Sequence, residues 1–405
     1  MLLGEHQPHH HRVHQADLST APVLGLRART VGRLREVAPS TDASRRLARR
    51  RLILGAIGVV AIVAVVAVVA EALSSRTVPA AGPAAPTAPP TGSARPTSTT
   101  VPALRPPYPV GSLSFTVTEA ATSATGARSF VTHVRYPAAP GTAGSGGSAA
   151  TPLRAAGPFP LVVFSGGYDA DPEEYSNLLD AWAAAGYVVA DPVYPSTSPT
   201  SPEPLDESDI VHHPGDLSAV ITALVQADRG SGAGPVAALA GTVDTGSIAA
   251  IGHSDGGDVT LAASVDPCCR DPRIDAAVIL SGAELAAFGG TYFSSRPEVP
   301  LLVVQGTGDD INPPGCSVQL YDQAPPPKYY LSMLGQSHQS PYLQAGTALD
   351  TVQQVVVDFL GATLRGSGPA KAAISRDGNV PGSSSLFTGS PPDLAASACP
   401  GAPGG

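Results

Sequence analysis

The chain has 405 residues, more than one typical domain needs, with 43 Gly and 42 Pro, which together imply long linkers beside a folded core. Its formal net charge is −9, but residues 1–51 hold ten Arg against four acids, and the rest holds fourteen Lys and Arg against twenty-nine acids. An acidic body of this kind argues against nucleic-acid binding, while a basic head suits a segment held on the cytoplasmic side of a membrane.

In chain order, residues 1–51 form a polar, Arg-rich segment expected to be disordered. His6, His9, His10, His11 and His14 lie in it without any hydrophobic pattern and are read as incidental rather than metal-binding. Residues 52–70 are nineteen consecutive apolar residues, about 28 Å as a helix, which is close to the hydrocarbon thickness of a bilayer. Arg45, Arg46, Arg49, Arg50 and Arg51 precede them, so 52–73 is expected to be a signal-anchor helix with a cytoplasmic N-terminus and everything after Glu71 outside. The rival is a cleaved signal, with cleavage near Ala72 releasing the remainder.

Residues 74–108, rich in Pro, Ala, Thr and Ser, read as a semi-extended spacer. Residues 366–405, rich in Gly, Ser and Pro, read as a flexible tail. Between them, 109–365 are long enough for one large catalytic core. Apolar strand-like runs at 129–136, 160–165, 186–190, 247–252, 276–280, 301–305 and 328–334 alternate with helical patterns at 171–185, 214–227, 255–264 and 348–364. The alternation predicts an α/β fold: a mostly parallel, doubly wound sheet with helices on both faces. Ligands in such sheets bind beyond the carboxyl ends of the strands.

Gly252-His253-Ser254-Asp255-Gly256 fits G-x-S-x-G. The pattern alone is weak in a chain this rich in Gly and Ser. Its setting strengthens it, because an apolar strand runs in and a helix runs out, the frame that a nucleophile elbow requires. A Ser hydroxyl needs an adjacent base. Among the His of the folded region, His133 lies on an early strand, His212 and His213 precede a helix, and His253 is expected to point into packing. His338 directly follows the last predicted strand and so reaches the edge where Ser254 sits. The strand at 301–305 ends in Gly306-Thr307-Gly308-Asp309-Asp310, where either carboxylate can orient the base. Asp309, reached first, is preferred to Asp310. The amides of Asp255 and Tyr168 are the expected oxyanion donors, and Tyr168, Gly167 and His253 are expected to border the substrate.

The segments 160–196, 211–226, 239–262, 271–314 and 328–338 resemble the bacterial branch of α/β-hydrolases that includes dienelactone-hydrolase-like, platelet-activating-factor-acetylhydrolase-like and cutinase-like esterases. The resemblance covers roughly 110–365. It implies hydrolysis of carboxylic esters through an acyl-enzyme on Ser254, with no metal or organic cofactor. The chain order Ser254, Asp309, His338 is that of α/β-hydrolases. Members often carry His-Gly before the oxyanion donor, where this chain has Gly166-Gly167, and true dienelactone hydrolases use Cys where this chain has Ser254. Residues 194–210 form a Ser/Thr/Pro loop rimming the cleft rather than a lid. A thioesterase, a peptidase or a non-catalytic envelope binding module on the same fold are the alternatives.

Cys268, Cys269, Cys316 and Cys399 permit two disulfides. The helix at 255–264 carries the chain about 15 Å away from the catalytic edge, so a bond from Cys268 or Cys269 to Cys316 is not expected. A vicinal 268–269 bond or links to Cys399 fit better.

Overall fold

The computed structural model describes residues 106–120, 126–142, 150–295, 298–391 and 399. The expected anchor at 52–73, the basic segment before it and most of the spacer lie outside the described residues. Among the described residues, no helix is long and apolar enough to cross a membrane.

Among the described residues, nine strands form one sheet: β1 (Val110–Glu119), β2 (Arg128–Pro137), β3 (Phe159–Ser165), β4 (Val188–Pro192), β5 (Val243–His253), β6 (Ala276–Leu280), β7 (Leu301–Gly306), β8 (Lys328–Met333) and β9 (Ser384–Phe387), in the order β1-β2-β4-β3-β5-β6-β7-β8-β9. The six strands β3 to β8 pair in parallel, whereas β1, β2 and β9 pair antiparallel at the two ends. The fold is therefore α/β with a mostly parallel sheet.

Strand composition follows position. β3, β4, β6 and β7 are buried along their whole length, as strands covered on both faces must be. β1 alternates, with Leu113, Phe115 and Val117 inward and Ser112, Ser114, Thr116 and Thr118 exposed, so only one of its faces is covered. On β3, successive side chains feed opposite cores. Leu161 and Val163 join one apolar cluster with helices α2 (His213–Asp228) and α3 (Asp255–Val265). Val162 and Phe164 join another with α1 (Ser176–Ala184) and α6 (Thr347–Leu364). Each fully buried Val, Leu or Ile stabilises this sandwich by about 1.5–3 kcal/mol.

The chain winds from β3 out to β4, then returns past β3 to β5 and onward to β8. The direction of winding thus reverses between β3 and β5, where ligands of open α/β sheets bind beyond the strand ends.

Three expectations need correction. The helix expected over 171–185 begins as a 3-10 turn, Pro172–Tyr175, because the Asp171 carboxylate caps the Glu173 amide at 3.0 Å; α1 starts only at Ser176. Residues 366–405 are not simply a tail. Gly368–Asp377 forms a helix, α7, with Ala373 and Ile374 buried, and β9 closes the far side of the sheet against β8. Two helices were not foreseen, α4 (Pro314–Gln323) and the short α5 (Ser340–Leu343).

The disulfides are Cys268–Cys269 and Cys316–Cys399. Cys316 on α4 thereby ties residue 399 to the molecule, and the pair packs against Ala283.

Candidate active site

At the end of β5 the chain turns abruptly into α3. Ser254 stands at the turn with φ 55° and ψ −127°, a left-handed backbone that costs a non-Gly residue of order 1–3 kcal/mol. Its neighbours hold it there. The Ser254 amide donates to Leu280 O at 2.9 Å, and the Ser254 carbonyl accepts from the Gly257 and Asp258 amides at 2.7 and 3.1 Å. The two flanking glycines are required by contact. A Cβ at Gly252 would overlap the backbone of Gly256, and one at Gly256 would overlap the carbonyl of Ser165 on β3.

The loop after β8 carries His338 and the loop after β7 carries Asp309, both almost fully buried. The His338 Nδ1–H donates to Asp309 Oδ2 at 2.9 Å. Asp309 is held by three more donors: the Ile311 and Asn312 amides on Oδ1 at 3.0 and 2.9 Å, and Gln305 Nε2 on Oδ2 at 2.9 Å. Burial by itself would push this carboxyl up. The hydrogen bond and charge of His338, with the Asn312 amide and Gln305, outweigh it and hold Asp309 below the usual carboxylate range. Asp310 is exposed and makes no such bond, so of the two carboxylates left open by the sequence, Asp309 is the partner of His338.

The other imidazole nitrogen, His338 Nε2, is buried and makes no hydrogen bond. The Ser254 hydroxyl makes none either among the described residues, so no hydrogen bond joins Ser254 to His338 in this structure. The arrangement leaves an unspent acceptor nitrogen on the edge that carries Ser254.

The loop after β3 lies against the elbow: a Cβ on Gly167 would come within 3.2 Å of the Ser254 Cβ. The Tyr168 amide, like that of Asp255 at the first position of α3, makes no hydrogen bond among the described residues, whereas the adjacent Gly167 and Asp169 amides are both engaged, the latter by Thr197 O at 2.8 Å. Tyr168 is 37% exposed. The Asp255 carboxyl is pushed up to about 6, by burial first and then by the negative charge of Glu207, against the lowering effect of His338.

His253 does not border a substrate. It is 2% exposed, and both ring nitrogens are engaged, Nε2 with the His338 carbonyl at 2.9 Å and Nδ1 with the Tyr175 hydroxyl at 2.8 Å. Side chains alternate along β5, which sends His253 beneath the edge when Ser254 is above it. Burial, then the nearby charge of His338, pushes its pKa down to about 3. Of the remaining histidines, His133 bonds Ser114 on the β1–β2 hairpin, and His213 stacks on Tyr194.

Tyr175, Gln305 and Asn312 were not anticipated. Gln305 carried a legible signal, a polar residue closing an otherwise apolar buried strand. Tyr175 carried none, because its partners are remote in sequence. Comparison with protein-family models finds no match for the chain, and comparison with curated proteins finds none either.

Proposed function

We propose that this chain is a serine hydrolase of the α/β-hydrolase type that cleaves carboxylic esters, and that it works outside the cytoplasm, held to the membrane through residues 52–73 or released by cleavage near Ala72. The observation that carries the reading is a serine in a strained strand-to-helix turn at the sheet's reversal point, with a buried His338–Asp309 pair on loops of the same sheet edge whose second imidazole nitrogen is unspent.

In this reading Ser254 Oγ attacks the ester carbonyl and its proton passes to His338 Nε2. Asp309, kept anionic, orients the ring and stabilises the imidazolium. The tetrahedral oxyanion is met by the Tyr168 and Asp255 amides. Collapse expels the alcohol, which takes the proton from His338 and leaves an acyl group on Ser254. Water, deprotonated by His338, then releases the acid and restores the serine. The residues assigned to these steps need no metal or organic cofactor.

The test is turnover of short-chain nitrophenyl esters by the full chain. We expect measurable hydrolysis, with Ser254→Ala lowering kcat by at least about 1,000-fold. Absence of turnover across several acyl lengths, or an unchanged rate in the variant, contradicts the proposal.

A further inference from the structure

Beneath the candidate site runs a chain of hydrogen bonds that the mechanism above does not use. The Gly167 N–H donates to the Tyr175 oxygen at 3.2 Å; Tyr175 and His253 Nδ1 are 2.8 Å apart; His253 Nε2 is 2.9 Å from the His338 carbonyl. Its directions are forced. A carbonyl only accepts, so Nε2 carries the proton; Nδ1 is then an acceptor, so the Tyr175 O–H donates to it. Every link is committed, and the chain runs from the loop holding one expected oxyanion donor to the loop holding the expected base.

We infer that Tyr175 and His253 are positioning residues that lock the loop of Gly167 and Tyr168 to the loop of His338, so that oxyanion donor and proton acceptor keep one separation. This inference rests on the serine-hydrolase reading. The surroundings favour such a strut. Tyr175 is about 1% exposed and packs on Phe164 at 4.8 Å between ring centroids. The His253 ring lies 4.8 Å from both His338 and Tyr342, and Tyr342 is itself fixed by donating to Val304 O at 3.0 Å and by Ser281 Oγ at 2.9 Å. His253 is also the wrong base to compete with His338. Its burial keeps it neutral, so no second cation stands beside His338 when that ring takes the serine proton. Misplacing one loop against the other by about 1 Å costs up to about 100-fold in rate.

Three variants separate wiring from packing. His253→Leu fills a buried space with apolar bulk, whereas His253→Gln keeps one donor and one acceptor; Tyr175→Phe removes only the hydroxyl. We expect Tyr175→Phe and His253→Leu to lower kcat for nitrophenyl esters by about 10- to 100-fold with KM within about 3-fold, and His253→Gln to recover at least about 5-fold over the Leu variant. Tyr175→Phe at wild-type kcat, or Leu equal to or better than Gln, overturns the inference. A second measurement decides it even if the variants fold poorly. In the wild-type chain labelled with ¹⁵N-histidine, ten imidazoles report, and His253 is expected as a fixed Nε2–H tautomer that does not titrate between pH 5 and 9. An Nδ1–H tautomer, or titration in that range, overturns it. Lack of ester turnover by the wild type would instead defeat the serine-hydrolase reading and leave the tautomer result standing by itself.

Discussion

His338 meets one carboxylate and not its neighbour, and that choice is made by the other donors on Asp309. The amides of Ile311 and Asn312 converge on one Asp309 oxygen and Gln305 on the other, so the carboxylate is held before the imidazole reaches it. Asp310, one residue on, faces solvent. Asp309→Asn keeps the shape but removes the charge that stabilises the imidazolium and fixes its tautomer. We expect kcat for ester hydrolysis to fall by about 1,000-fold or more, while Asp310→Asn stays within about 3-fold of wild type. Steady-state kinetics on the two purified variants checks this, and equal losses would contradict the assignment. At this scale the turn at Ser254 and the pairing of His338 with Asp309 were legible, because a strand-to-helix Gly-x-Ser-x-Gly turn, a carboxylate after a strand and a histidine after the last parallel strand each leave a local pattern. Tyr175 was not, and of His253 only its turn into packing was, not its bonds to Tyr175 and to the His338 carbonyl. Their meaning lies in contacts across 78 and 85 positions of chain, and no local pattern encodes those.

The elements were legible where a strand is buried on both faces. β6 was expected at its observed bounds, because Ala-Ala-Val-Ile-Leu between polar neighbours leaves little latitude. β1 was missed, although its strict alternation is a plain strand signal. Residues 366–391 were misread for another reason: a Gly, Ser and Pro composition hides a helix whose buried anchors are only Ala373 and Ile374. The ends of elements also hold the least expected electrostatics. Asp191, on β4, is fully buried; its Oδ2 has no hydrogen bond, and the nearest cation, Arg135, is 3.9 Å away. Burial, only partly offset by Arg135, pushes this carboxyl up to about 8. An acid whose folded pKa exceeds its unfolded value binds its proton more tightly in the native state. Its contribution to stability is therefore full below about pH 4 and is lost as pH rises towards 8. Asp191→Asn stays neutral throughout. Chemical denaturation from pH 5 to 9 should show the variant gaining on wild type with rising pH, by at least about 1 kcal/mol across the range. Parallel curves would contradict the buried, protonated state.

For the whole molecule, the sheet explains why distant residues converge. Parallel strands deliver all their following loops to one edge, and the reversal between β3 and β5 opens that edge beside Ser254. The proposed placement outside the cytoplasm rests on different ground, the arginines before residue 52 and the apolar run after them. Both disulfides are consistent with an oxidising compartment. Protease added to intact cells carrying the full chain should digest the region after residue 108 while sparing the segment before residue 52. Protection of that region until the cells are lysed would place it inside.

In the proposed mechanism His338 activates Ser254. Reaction of the full chain with a fluorophosphonate, followed by peptide mapping, tests it most directly, because the reagent labels a serine in proportion to its nucleophilicity. We expect a single adduct on Ser254, formed at least about 100-fold more slowly in His338→Ala. An adduct on another residue, none at all, or an equal rate in the variant would contradict it.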